Sequence, residues 1–401
     1  MPAVSVQSFD RAAGAADASD FSLVLGGPLY QLFRRARLSG DGLELLHRRM
    51  IAIVLFAWLP LVVLTIVAPP PIAIAIPFLR DCDLQARFLV ALPLLVWAEL
   101  IVHQRMGGVA RNFLTRGLVA AEDLPRFYAA IASAMRVRNS IAVELGLVVV
   151  ALTIGQWSWR TQVALSSSTW YAVVDSNGWR LTPAGYWYAY VAIPTFQFIL
   201  VRWYLRIAIW AWFLWKTSRL HLHLLATHPD RCGGLAFLGK CTYALGPILF
   251  AQGTLLSGLI ANAVLYEGAD LLSFKTEAVG LIGLFVIVVL GPLLVFSGQM
   301  IQAKHKALGD YGLFATGYVR AFEERWIRGK GEGAELLGTG DIQSLADLAG
   351  SFDVIREMRV VPFNWQDVTR LAATTAAPLA PLALIVMPLD QLLGHALRIL
   401  F

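Results

Sequence analysis

Two arginines, Arg202 and Arg206, lie in an apolar, aromatic-rich stretch from Tyr186 to Trp215 that is long enough to cross a bilayer. An arginine at the centre of a membrane helix costs roughly 2.5–3.5 kcal/mol on insertion scales, so it normally faces a partner or a water-filled cavity. A guanidinium group in such a place can bind an anion or assist the passage of an ion or a proton. These arginines are therefore the first candidates for a functional site.

Two carboxylates are predicted to lie at a similar depth. Counting residues at about 1.5 Å each places Glu99 and Glu144 near the inner ends of their spans, at the level of Arg206. Arg202 falls near the midplane and has no obvious partner. We interpret this intramembrane charge cluster either as buried ion pairs that fix the helix register or as the lining of an aqueous path or anion site.

A second candidate lies in the stretch from Thr242 to Tyr266, where polar and small side chains interrupt an aliphatic run. Four of them are candidates for a pore or ligand lining: Gln252, Thr254, Ser257 and Asn262. Gly253, Ser257 and Ala261 are spaced four apart, however, and this pattern is typical of close helix packing in lipid. Both interpretations stay open at the sequence level.

The densest set of metal-capable groups comes between these two stretches: His221, His223, His228, Asp230 and Cys232. Their imidazole, carboxylate and thiolate groups are suitable zinc ligands. The spacing is less favourable, because His221 and His223 diverge on a helix and share a face only in an extended segment. The alternative is a loop in which Thr227 to Asp230 forms a turn, and no other cofactor is predicted.

No catalytic set can be named from the sequence. It contains no Gly-x-Ser-x-Gly, no Walker loop and no His-Glu-x-x-His, and the other four of its seven histidines are scattered on different segments. The three cysteines offer no intrachain disulfide framework.

The composition of the chain indicates which kind of structure positions these residues. With 57% hydrophobic and 15% charged residues, the chain is far from the balance of a soluble domain. It is predicted to be an all-α integral membrane protein with six to seven transmembrane helices. The expected spans are Met50–Val67, Arg87–His103, Ile141–Trp157, Tyr186–Trp215, Thr242–Tyr266, Glu277–Ile301 and Val368–Leu389. Residues 1–20 lack an apolar core, so the first span is the expected targeting signal.

Positive charge predicts the orientation. With seven spans, the segments 1–49, 104–140, 216–241 and 302–367 share one side and hold 24 of the 33 Lys and Arg residues. The positive-inside rule places this side in the cytoplasm and the C-terminus outside. The net charge of +6 is thus assigned to topology, and no nucleic-acid partner is predicted.

The connecting segments also carry structural signals. Residues 168–181 predict a short outer β-hairpin, with Asn177-Gly178 at its turn, and Thr182-Pro183 predict a capped helix start. On the inner side, amphipathic patterns predict helices over Asp341–Met358 and within Arg111–Arg138, and an interfacial helix over Pro28–Leu38. The sixth span is expected to continue on the same side as a protruding helix over Lys304–Ile327. The expected divisions are an N-terminal segment (1–49), six spans with their loops (50–303), an inner helical subdomain (304–366) and the last span with the C-terminus (367–401).

Two motifs carry a resemblance. The sequence His-Pro-Asp-Arg-Cys-Gly-Gly-Leu at 228–235, and Gly-Asp-Ile-Gln-Ser-Leu-Ala-Asp-Leu at 340–348 followed by Ser351-Phe352, are similar to motifs of uncharacterised bacterial polytopic inner-membrane proteins. The resemblance implies a multi-pass protein of the bacterial inner (cytoplasmic) membrane. It implies no activity.

Two functions follow from these observations as hypotheses. The first is a homo-oligomeric channel or transporter for a small ion or an anionic solute, with the charge cluster or the fifth span lining the path. The second is a non-transporting scaffold or sensor that binds a protein or lipid partner, in which the charges only fix packing. Sealing of Arg202 by carboxylates in a single chain would weigh against conduction.

Overall fold

The structure, a computed structural model, describes residues 21–35, 45–69, 76–155, 157, 169–175, 178–329 and 340–386. Over these residues it is all-α apart from one two-stranded sheet. Six helices are long and apolar enough to cross a membrane. The prediction of an all-α integral membrane protein is therefore confirmed.

The helical runs are α1 Pro28–Arg35, α2 Leu46–Val67, α3 Cys82–Thr115, α4 Leu124–Arg138, α5 Ile141–Val150, α6 Pro183–Thr217, α7 Ala236–Tyr266, α8 Leu271–Ile327, α9 Asp341–Arg356 and α10 Trp365–Ile385. Several of these runs contain π-helical segments or continue into them, at Ala86–Ala91, Ala151–Gly155, Tyr188–Ala192 and Glu323–Ile327. Helices α7, α8 and α10 contain 3-10 segments, at Thr242–Leu245, Leu271–Phe274, Gly291–Phe296 and Ala377–Leu382. Separate 3-10 turns lie at Phe78–Arg80 and Ala121–Asp123.

Six of the predicted spans correspond to α2, α3, α6, α7, α8 and α10. The third predicted span corresponds to the shorter apolar helix Ile141–Thr153, which a π-helical turn extends to Gly155. The stretch from Ile141 to Gly155 rises about 22 Å, less than the roughly 30 Å of a hydrocarbon core. Of the predicted remainder, residues 156 and 157, the first lies outside the described residues.

Contacts between loops define two opposite faces of the helix bundle. On one face, which we call the outer face, the hydroxyl of Tyr266 donates to the carbonyl of Arg80 at 2.9 Å, and the indole of Trp170 donates to Asp81 at 2.9 Å. Loops that follow α2, α5 and α7 therefore meet there.

The other face, the inner face, gathers the segments that hold most of the basic residues. The amide of His223 donates to the carbonyl of Leu118 at 2.7 Å. The amide of Arg359 donates to the carbonyl of Arg231 at 2.8 Å, and Lys304 Nζ donates to the carbonyl of Met358 at 2.8 Å. This grouping is the one expected if consecutive spans alternate in direction.

The predicted outer hairpin is present, with its turn shifted by one residue. Strands β1 (Ala172–Asp175) and β2 (Gly178–Leu181) pair antiparallel, with Asp175 opposite Gly178. Gly178 therefore lies in β2, and the connecting residues 176 and 177 lie outside the described residues. Directly after β2, the Thr182 hydroxyl accepts from Gly185 N at 3.0 Å, which confirms the predicted cap.

Two of the predicted inner helices form an arm. Helix α8 continues from its membrane portion to Ile327 without a break, and α9 packs along its inner part. At about 1.5 Å per residue, its 57 residues span about 85 Å, far more than the roughly 30 Å of a hydrocarbon core. More than half of α8 therefore extends beyond the hydrocarbon core, mainly on the inner face.

Candidate functional site

Glu99 is the centre of the intramembrane charge cluster. One of its oxygens, Oε1, lies 2.8 Å from Arg206 Nη2 and 3.8 Å from Arg202 Nη1. The other, Oε2, accepts from Arg49 Nη2. A single carboxylate on α3 thus faces guanidinium groups from α2 and from two successive turns of α6.

Glu144 completes the cluster from α5. Its Oε1 lies 3.3 Å from Arg202 Nη2, and its Oε2 accepts from the backbone N–H of Leu29 at 2.9 Å. The structure therefore brings together all four residues of the predicted cluster. The expectation that Arg202 has no partner was wrong, because this side chain bridges the two carboxylates.

Arg49 is a member that the sequence reasoning missed. The first span was expected to begin at Met50, whereas α2 begins at Leu46, so Arg49 lies inside the helix and is buried. The available signal was its position one residue before an apolar run, where a basic residue is ordinarily assigned to the interface. Depth alone did not distinguish an interfacial arginine from one that turns into the bundle.

The N-terminal segment covers the cluster on its inner side. Phe21, Leu23 and Val24 are buried among the helices, and the guanidinium group of Arg138 donates to the carbonyl of Ser22. The cavity that remains beside Glu99, Arg202 and Arg206 measures about 20 Å³. This is room for about one water molecule, far short of a continuous aqueous path.

The four candidate lining residues of α7 do not form one polar surface. Asn262 lies at the outer end, where it accepts from Cys82 N at 2.8 Å and donates to Asp81 at 2.9 Å. The Thr254 hydroxyl donates to the carbonyl of Phe250 in its own helix at 2.9 Å. Gln252 is buried and Ser257 is half-buried.

Small residues of α7 pack directly against neighbouring backbones. A Cβ atom on Gly253 would lie 2.0 Å from Thr375 O, and one on Gly258 would lie 2.9 Å from Cys82 O. Ala261 is buried against Leu382. These contacts support the packing interpretation of this helix.

The histidine loop is held by local hydrogen bonds. His221 Nδ1 lies 3.1 Å from Asp123 Oδ2, and His228 Nδ1 lies 3.0 Å from Asp230 Oδ1. His223 is exposed and pairs through its backbone with Leu118. Among the described residues, no group of three or more His, Cys, Asp or Glu side chains could hold a metal ion.

Asp230 organises the turn that follows. Its side chain accepts from the backbone N–H groups of Cys232, Gly234 and Ala236 at 2.8, 3.1 and 3.2 Å. Partial burial alone would raise the pKa of Asp230, but these three donors outweigh it and hold the pKa below its usual value. Burial raises the pKa of the neighbouring Cys232 thiol to about 11, so this residue is a packed thiol at neutral pH.

A cavity of about 410 Å³ on the inner face was not predicted. Its charged lining residues are Arg105 of α3, Lys240 of α7, Arg359, and Asp367 and Arg370 of α10. We call it the basic cavity. The signal in the sequence was a basic residue at the inner end of several separate spans, which the positive-inside rule alone is enough to explain.

Comparisons with known proteins give no relative: no protein-family model, no curated protein and no solved structure matches the chain. The similarity of the motifs at 228–235 and 340–348 to uncharacterised inner-membrane proteins therefore stays a prediction.

Proposed function

We propose that this integral membrane protein is a non-transporting scaffold, in which the intramembrane charges lock the helices and the inner face is the working surface. The observation that carries the proposal is the closed state of the charge cluster. Arg202 and Arg206 each contact a carboxylate, and the adjoining cavity of about 20 Å³ accommodates about one water. An oligomeric channel or transporter remains the alternative hypothesis, without a path at this site to support it.

The energetics of the cluster support the same proposal. Removing one partner of a buried ion pair typically costs about 3–5 kcal/mol, because the other charge is left uncompensated. Opening a path between Glu99, Glu144 and Arg202 would separate such pairs and would also require displacement of Leu29, whose N–H binds Glu144. A permanent clamp on four helices needs no such movement.

The distribution of mass outside the bilayer supports an inner working surface. Among the described residues, helix α4, the loop after α6 and the arm formed by α8 and α9 lie on the inner face, whereas the outer face carries the turn at Phe78–Arg80 and the hairpin. Leu313, which is 78% exposed, lies on the part of α8 beyond the bilayer. An exposed arm of this kind offers a protein partner a surface that lipid does not cover.

Flux measurements on the reconstituted chain test the proposal. We expect proteoliposomes with the wild-type protein to show chloride, potassium and proton permeabilities equal to those of protein-free vesicles. Arg202→Leu should lower the free energy of unfolding by about 3–5 kcal/mol and leave the permeabilities unchanged. Arg328→Leu, which removes an exposed pair with Glu323 (3.6 Å), is the matched control and should alter neither quantity by much.

The opposite result would establish the channel hypothesis. It consists of a selective flux in wild-type vesicles that disappears in Arg202→Leu while the variant stays folded and assembled. The oligomeric state, measured by light scattering in detergent, belongs to the same experiment, because a closed ring with a continuous polar axis would also favour conduction.

A further inference from the structure

We infer that the basic cavity binds the phosphate-bearing headgroup of an anionic phospholipid from the inner leaflet. This inference goes beyond the proposed scaffold function and does not depend on it, since a lipid site on the inner face is compatible with a scaffold or with a transporter.

The first argument is charge. Arg105, Lys240 and Arg370 are exposed and Arg359 is half-buried, and none of the four has a carboxylate within ion-pair distance among the described residues. Elsewhere on the same face, exposed arginines such as Arg126 and Arg231 are paired with acidic side chains. The cavity therefore presents four cationic groups with free donor capacity.

The single carboxylate in the lining does not neutralise them. Asp367 is buried, and its Oδ2 accepts from the backbone N–H of Asn364 at 2.8 Å. Its Oδ1 accepts from the hydroxyl of Tyr243. Through these bonds Asp367 stabilises the start of α10, and its one negative charge is outnumbered by the four positive charges of the lining.

The second argument is preorganisation of the walls. A Cβ atom on Gly239 would lie 2.7 Å from Pro362 O and 3.1 Å from Asp367 Oδ2, so α7 and the segment before α10 are in close contact. Arg359 is anchored by its N–H on Arg231 O at 2.8 Å and by its guanidinium group on Asp230 O at 3.3 Å. The cations are thus held on elements that are already packed together, which reduces the ordering cost of binding.

The third argument is depth, and it selects a lipid. The hydrogen bond between Cys82 N and Asn262 Oδ1 fixes α3 and α7 at one outer level. From that level, Arg105 lies about 35 Å and Lys240 about 33 Å along their helices at about 1.5 Å per residue. Both values slightly exceed a hydrocarbon core of about 30 Å, so the two cations reach the inner headgroup region together.

Aromatic groups place the cavity at the same boundary. Trp365, at the start of α10, is 76% exposed, and Tyr243 lies under the guanidinium group of Arg370 with 4.6 Å between its ring centroid and Cζ. Tryptophan and tyrosine concentrate at the membrane–water interface, and basic pockets between helices on the cytoplasmic side bind phosphate headgroups. Arginine and lysine pair strongly with phosphate oxygens.

Native mass spectrometry of the delipidated full chain tests the inference. The protein is titrated separately with phosphatidylglycerol and with phosphatidylcholine, which share the phosphodiester but differ in net charge. We expect the wild type to prefer phosphatidylglycerol by about tenfold or more and Lys240→Gln/Arg370→Gln to lose most of that preference. Lys216→Gln/Arg219→Gln removes the same charge from the inner face away from the cavity and should keep it, as should Arg370→Lys.

Each contrary result overturns the inference in a distinct way. Equal loss in both double variants would mean that the preference is a general effect of surface charge. No preference in the wild type would mean that the cavity is not a lipid site. Displacement of phosphatidylglycerol by inorganic phosphate at comparable concentration would assign the cavity to a soluble phosphate compound. A misfolded variant is recognised by its loss of the compact charge-state distribution. If the double variant misfolds, the lipid preference of Arg370→Gln is compared with that of Arg370→Lys instead.

Discussion

At the scale of single residues, the two carboxylates of the charge cluster differ in the number of arginines that they contact. Glu99 faces three guanidinium groups, whereas Glu144 faces one guanidinium group and one backbone N–H. Because buried charges are stable only when compensated, Glu99 is the residue on which most of the arginine charge depends.

Glu99→Gln should therefore be strongly destabilising. The glutamine side chain has the size of the glutamate and keeps one hydrogen-bond acceptor. It carries no charge, however, so Arg49 and Arg206 lose their nearest negative charge. We expect a loss of about 3–5 kcal/mol in the free energy of unfolding, measured by denaturant titration in detergent.

The control for Glu99→Gln is Glu323→Gln, which breaks an exposed pair with Arg328 and should cost less than about 1 kcal/mol. If the two substitutions change stability equally, Glu99 does not clamp the helices, and the structural role assigned to the cluster would have to be abandoned.

At the scale of elements, close backbone contact holds the C-terminal helix to the bundle. A Cβ atom on Gly253 of α7 would lie 2.0 Å from the carbonyl oxygen of Thr375 in α10, whereas a Cβ atom on Gly280 of α8 would meet nothing within 4 Å. A glycine-to-alanine substitution would therefore be sterically crowded at Gly253 and unhindered at Gly280.

Gly253→Ala should force α7 and α10 apart. Overpacking of this kind typically costs about 1–3 kcal/mol, so the midpoint of thermal unfolding should fall. Gly280→Ala adds a methyl group in open space and favours helix by up to about 1 kcal/mol, so its midpoint should stay or rise. Equal midpoints would show that α7 and α10 are not in contact as described.

The helices themselves could be predicted from the sequence because the bilayer fixes the length of an apolar run. The continuation of the sixth span over Lys304–Ile327 was also expected, and α8 confirms it. The π-helical segment at Ala86–Ala91, through which α3 passes, could not be predicted. It follows from backbone hydrogen bonds, which hydropathy does not report.

The sequence predicted the depth of the cluster residues in the membrane but not the directions in which their side chains point. Counting along each helix placed Glu99, Glu144 and Arg206 at one level, and the structure gathers them. The count carries no information about rotation around the helix axis, so it could not find that Arg202 turns to both carboxylates. The basic cavity was missed for a related reason, since its residues come from separate spans and meet only in the folded chain.

At the scale of the whole molecule, the two faces differ in structure as well as in charge. The inner face gathers Leu118 with His223 and Arg231 with Arg359, so the basic segments form one connected layer. The outer face gathers Arg80 with Tyr266. This grouping fixes which segments lie together, and the positive-inside rule then predicts that the connected basic layer faces the cytoplasm.

Cysteine accessibility tests that orientation. In a Cys82→Ser background, whose remaining cysteines Cys232 and Cys241 are buried, a membrane-impermeant maleimide applied to bacterial spheroplasts should label Glu267→Cys on the outer face. It should label Leu313→Cys only after the membrane is permeabilised, because Leu313 lies on the exposed inner arm. The reverse pattern would invert the chain in the membrane and move the basic cavity to the outer leaflet. Labelling of both sites in intact spheroplasts would instead contradict the two-face arrangement, because Glu267 and Leu313 could then not lie on opposite sides of the bilayer.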